Sequence, residues 1–136
     1  MLAAANETTA LTEAANAGRT NVIPDIAGSS KKFTLPTPSG AGVYYHFIYG
    51  GAAADAHNLV IQPVTGDNSV YFKGSITHLD TTADENVTAV ISDGDSNDTM
   101  TLKVLEGLDL HCLALSTTVW YIWGTVTAAT VPTIAD

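Results

Sequence analysis

A chain of 136 residues fits one domain and is long enough to enclose one hydrophobic core. Apolar residues make up 46% of it and charged residues only 14%, which excludes an intrinsically disordered segment and leaves a surface of neutral polar side chains. Fourteen acidic residues face five basic ones, and a formal charge of −9 argues against nucleic acid or an anionic membrane as partner, since both require phosphate to be neutralised.

The five bases (Arg19, Lys31, Lys32, Lys73 and Lys103) form no stripe beyond the Lys31-Lys32 pair. The segment Met1-Leu2-Ala3-Ala4-Ala5-Asn6-Glu7 has no basic n-region, so it does not read as a secretory signal. No run approaches the ~18 apolar residues of a membrane helix. A protein made in the cytoplasm is expected.

Residues 1–18 are alanine-rich and end at Gly18. Thr9 or Thr12 could cap a short helix that Gly18 terminates, or the segment could be an arm that orders only on assembly. Composition leaves both open. From Arg19 onward, β-branched and aromatic runs recur between Gly, Pro, Asn and Asp, and predict strands near 20–23, 32–35, 42–49, 58–62, 69–73, 75–79, 86–91, 99–105, 109–115 and 118–127. Pro24, Pro36, Pro38, Pro63 and Pro132 fall at strand ends or in connections, where a missing N–H does no harm.

Two strands are apolar on both faces. Val43, Tyr45, Phe47 and Tyr49 share one side of the first, and Tyr44, His46 and Ile48 the other. In the last, Trp120 and Ile122 oppose Tyr121 and Trp123. Such strands belong in the middle of a sheet or at a subunit contact. The expected architecture is all-β, a sandwich or barrel of about eight to ten short strands, with residues 19–136 as one domain behind an N-terminal arm or short helix.

Chemistry-bearing patterns are sparse. Asp93, Asp95 and Asn97 have the 1-3-5 spacing of a calcium loop, but the sixth position is Asp98 instead of glycine and the twelfth is Val104 instead of glutamate. A turn built on Asp93-Gly94 is the expected reading. His46, His57, His78 and His111 show no ligand spacing, so a zinc site would have to be assembled by the fold alone. His46 and His111 read as hydrogen-bonded core or interface residues. Cys112 lies in an apolar run and reads as a buried thiol. There is no Gly-x-Ser-x-Gly, and Gly40-Ala41-Gly42 precedes a strand instead of a phosphate-binding helix. Neither an enzyme nor a cofactor is expected. Trp120, Tyr121 and Trp123 offer a sugar platform, against which stands a core Trp120 with its neighbours at an interface.

The order of Leu11-Thr12-Glu13-Ala14-Ala15-Asn16-Ala17-Gly18-Arg19-Thr20, Phe33-Thr34-Leu35-Pro36-Thr37-Pro38, an aromatic strand after glycine, and a late Trp120-Tyr121-Ile122-Trp123-Gly124 resembles small tailed-phage virion proteins of the head decoration (cement) or minor capsid type. Modules of phage fibres share it. The resemblance spans most of residues 8–126 and implies a β subunit that trimerises on the outer capsid surface and clamps the major capsid protein. It carries no catalytic residues. Leu2, Leu11, Tyr44, His46, Ile48, Tyr121 and Trp123 are the expected interface residues. A receptor- or glycan-binding module of a fibre or head appendage is the alternative.

Overall fold

The computed structural model describes residues 8–26, 28–53, 57–82 and 86–136. In chain order the elements are β1 (Thr8–Ala10), α1 (Glu13–Asn16), β2 (Thr20–Ile23), β3 (Lys31–Leu35), β4 (Tyr44–Tyr49), β5 (Asn58–Pro63), β6 (Tyr71–Asp80), β7 (Val87–Ile91), β8 (Thr99–Lys103), β9 (Leu105–Ala114), β10 (Val119–Ala128) and β11 (Thr133–Ala135). They form two packed sheets, β1-β3-β5-β8-β11 and β2-β4-β9-β10-β6-β7. The architecture is an all-β sandwich.

Up to β5, successive strands alternate between the sheets and pair in parallel within each: β1 with β3, β3 with β5, and β2 with β4. The chain thus winds as a flattened coil, each parallel step requiring a crossover, which here is a strand of the opposite sheet. The later strands close this coil. β9 pairs antiparallel with both β4 and β10, and β10 lies parallel to β6.

Period-two burial follows from the sandwich. Phe33, Leu35, Leu59, Ile61, Met100 and Leu102 come from the five-stranded sheet, and Tyr45, Phe47, Phe72, Ile76, Leu110, Cys112, Trp120 and Ile122 from the six-stranded one, all buried in one cluster. Tyr45 and Trp120 meet edge to face at 5.5 Å. That geometry contributes about 0.5–1.5 kcal/mol beyond the area the rings bury.

The N-terminal segment from Thr8 is part of the domain and not a free arm. β1 extends the five-stranded sheet along β3, and the Leu11 N–H donates to the Thr34 carbonyl at 2.9 Å. Leu11, expected at an interface, is a core residue at 3% exposure. The apolar space beside an edge strand accounts for this, and residue spacing alone does not reveal it. Leu2 lies outside the described residues. Thr12 does cap the short helix: its Oγ1 accepts from the Ala15 N–H at 3.2 Å. The Glu13 carboxylate accepts from the Ser39 N–H and hydroxyl, both at 2.7 Å, and these bonds hold its pKa below the ordinary value.

Several boundaries shift by one or two residues from the sequence reading, and β9 begins at Leu105, four residues before the strand expected over 109–115; two differences have a visible cause. Gly74 does not separate two strands; β6 runs through it at φ 115, where any Cβ would overlap the Ile122 carbonyl oxygen of β10. Conversely, the strand expected over 99–105 ends at Lys103, because Val104 adopts φ 48 and turns the chain from one sheet into the other. β1 and β11, three residues each, carry too few positions for an alternation to register.

Leu11→Ala is expected to destabilise the protein by about 2–4 kcal/mol, as a buried leucine should and a mobile-arm residue should not. Gly124, at φ 142, sits where a Cβ would overlap the Asp109 carbonyl oxygen. Gly124→Ala is therefore expected to cost about 3 kcal/mol or more. Gly40→Ala, in open space, should change stability by no more than about 1 kcal/mol. Denaturant midpoints measure all three.

Candidate functional site

Core packing sets which residues of the six-stranded sheet face outward. With Tyr45 and Phe47 inside, Tyr44, His46 and Ile48 of β4 point out; with Leu110 and Cys112 inside, so do Asp109, His111 and Leu113 of β9. Tyr121 and Trp123 do the same on β10. The register then aligns Thr20 with His46, His46 with His111, and His111 with Trp123. One row of side chains crosses four strands.

The three rings of that row stack. His46 and His111 lie 4.4 Å apart at 4°, and His111 and Trp123 4.9 Å apart at 5°. These spacings are close to the separation of neighbouring strands, so the rings stand on edge like rungs, each above its own backbone. Asp109, two residues from His111 on the same face, joins the pair: its Oδ1 is 2.8 Å from His46 Nε2 and 3.1 Å from His111 Nε2. Each opposite ring nitrogen also has a partner, His46 Nδ1 with Thr20 Oγ1 at 2.9 Å and His111 Nδ1 with the Tyr44 hydroxyl at 2.6 Å. Burial, and secondarily the Asp109 charge, raise the Tyr44 pKa.

This cluster lies within a larger exposed face. Among the described residues nine large apolar side chains are exposed, and six of them (Ile48, Leu79, Val87, Ile91, Tyr121 and Trp123) lie on it. Val87 and Ile91, at 64% and 69%, sit on β7, the outermost strand. That edge, Val87-Thr88-Ala89-Val90-Ile91, carries none of the charges or prolines that ordinarily shield a strand edge.

The other candidates are built into a turn or into the core. Asp93 Oδ1 accepts from the N–H groups of Asp95, Ser96 and Asn97, and Oδ2 from the Ser96 hydroxyl. The Asn97 side-chain oxygen accepts from the Asp93 N–H. Two of the three oxygens a calcium ion would use are thus engaged by the turn itself. Cys112 is buried, and burial pushes its thiol pKa up, so it offers no thiolate. Trp120 is a core residue, leaving Tyr121 and Trp123 outside with ring centroids 6.0 Å apart. Among the described residues no pocket forms.

Five of the seven expected interface residues (Tyr44, His46, Ile48, Tyr121 and Trp123) therefore share one face. Sequence reasoning missed Asp109, Thr20 and the β7 residues. The Asp109-x-His111 spacing is visible in the chain, but only the β4–β9 register shows that His46 lies opposite. Comparison of the chain with protein-family models, curated proteins and solved structures gives no match.

The turn makes a pH-dependent contribution to stability. The N–H groups of Asp95 and then Asn97 hold the Asp93 carboxyl far below its ordinary 3.8. A lowered folded-state pKa stabilises the protein above the unfolded-state value, and that contribution is lost as pH falls below it. Asp93→Ala should thus be less stable than the parent at neutral pH, with the gap narrowing below about pH 4. Urea midpoints across that range measure the effect.

Proposed function

We propose that this protein is a virion structural protein, a head decoration (cement) protein that docks on the outer surface of a phage head through the outer face of its six-stranded sheet. The observation that carries this reading is the concentration of exposed apolar and aromatic side chains on that one face, ending in an unshielded edge strand. Exposed apolar side chains gathered on one water-facing sheet are what a covering partner would bury. Six strands at about 4.8 Å spacing span roughly 24 Å. With its longest strands at ten residues, the face is comparable with one side of a standard interface, about 800 Å².

The acidic charge suits the outside of a shell better than its DNA-facing lumen. Cementing follows from mass action, because a ligand that binds only the assembled lattice stabilises that lattice. The partners in this reading are the major capsid protein and, around a threefold axis, two further copies of this chain. Residues 8–17 are built into the domain, so in this reading the sheet face, and not those residues, is the clamp.

A glycan- or receptor-binding module is the second reading, favoured by the adjacent exposed rings of Tyr121 and Trp123. His111 covers one face of Trp123, so a sugar would have only the other.

The test is binding to purified heads. Val87→Lys/Ile91→Lys alters two exposed side chains and should fold like the parent, but should decorate heads at least about tenfold more weakly, as truncation of interface anchors does. Undiminished decoration by this variant would remove the sheet face from the account. If the unaltered chain ignores heads but is retained by glycans in a Trp123-dependent way, the second reading replaces the first.

A further inference from the structure

We infer that His46, Asp109 and His111 form a binding site for a divalent transition-metal ion of the zinc class. The inference stands on the geometry of the cluster and does not depend on what covers the face.

Three donor atoms, the two histidine Nε2 atoms and a carboxylate oxygen of Asp109, lie within 4.8 Å of one another. The fold brings them together from two strands. Asp109 and His111 share the outer side of β9, and His46 is the register partner of His111 on β4. No spacing in the chain announces this, which is why the four histidines look scattered in the sequence.

The donor set fits a specific class of ion. Two imidazoles and one carboxylate suit zinc, cobalt, nickel or copper, whereas calcium and magnesium require a shell of oxygens. Bonds of about 2.0–2.1 Å arranged tetrahedrally place donors roughly 3.3–3.4 Å apart. Asp109 Oδ1, at 2.8 and 3.1 Å from the two nitrogens, needs to open by only a few tenths of an ångström. The imidazoles must also lean together from their parallel stack by rotation about side-chain bonds.

The supporting contacts match what a ligating histidine requires. A histidine bound through Nε2 ordinarily donates its Nδ1–H to an oxygen, which fixes its tautomer and aim. Both residues have such an oxygen, Thr20 Oγ1 for His46 and the Tyr44 hydroxyl for His111. Without an ion, the Nε2–H groups donate to Asp109 and the hydroxyls donate to Nδ1. For a ring in its neutral form, binding moves the proton from Nε2 to Nδ1 by exchange with water, and the hydroxyl becomes an acceptor. Each Nε2 lone pair then turns to the metal. Side-chain exposures of 18% and 22% for the histidines and 62% for Asp109 leave the ion a route in from solvent. Remaining coordination positions face away from the sheet, toward water or a donor from a covering surface.

The experiment is calorimetric titration of the untagged full chain with zinc chloride and with cobalt chloride. Saturable one-to-one binding is expected, with calcium chloride giving none. His46→Gln and Asp109→Asn should each weaken zinc binding by at least about tenfold, since loss of even a supporting contact to a ligand costs that much. Circular dichroism should show both variants folded. Cobalt should quench Trp123, whose ring stacks on His111, and Trp123→Phe should keep binding while losing that quench. Uptake that does not saturate, or that is unchanged in His46→Gln/Asp109→Asn, would assign the ion to other carboxylates and overturn the site.

Discussion

The parity of three central strands governs both the inside and the outside of this protein. Phe47 on β4, Leu110 and Cys112 on β9, and Trp120 and Ile122 on β10 must face inward, because together they fill the space between the sheets. Once they do, His46, Asp109, His111 and Trp123 have nowhere to point but out. A slip of one residue in any of these strands would carry ionisable side chains into the core and core residues into water, so the register is strongly specified. The column of rings and the carboxylate beneath it are consequences of how the core is filled.

Glycine makes the close spacing of these strands possible at two points. Gly74 and Gly124 sit on the strands flanking and carrying Trp123, each with its missing Cβ directed at a neighbouring carbonyl, Ile122 for the first and Asp109 for the second. At Gly124 the atom a Cβ would meet belongs to the backbone of Asp109 itself. A side chain at 124 would therefore push on the backbone of the residue that carries the carboxylate.

Much of the fold is legible in the chain. The strand over 20–23 and the aromatic alternations at 43–49 and 119–123 could be read directly, because period-two burial writes itself into residue type. What could not be read depends on pairing. β1 and β11 are too short for periodicity, and Leu11 is buried only because β3 provides an edge for the segment before it. Val104, a β-branched residue at φ 48, ends a strand where its type argues for continuing one. The candidate site divides along the same line. Its aromatic half was visible as two-faced strands, whereas the Asp109 contacts required the β4–β9 register, a relation between residues more than sixty positions apart.

The outer face of the six-stranded sheet is the proposed working surface. Hydroxyl-radical footprinting of the chain, free and in purified particles that carry it, tests this most directly. Tyr121, Trp123, Ile48 and Ile91 should be labelled in the free protein and protected in the particle, with Val64 and Val131 labelled equally in both. Protection of Val64 and Val131 with unchanged labelling of Trp123 and Ile91 would contradict the account.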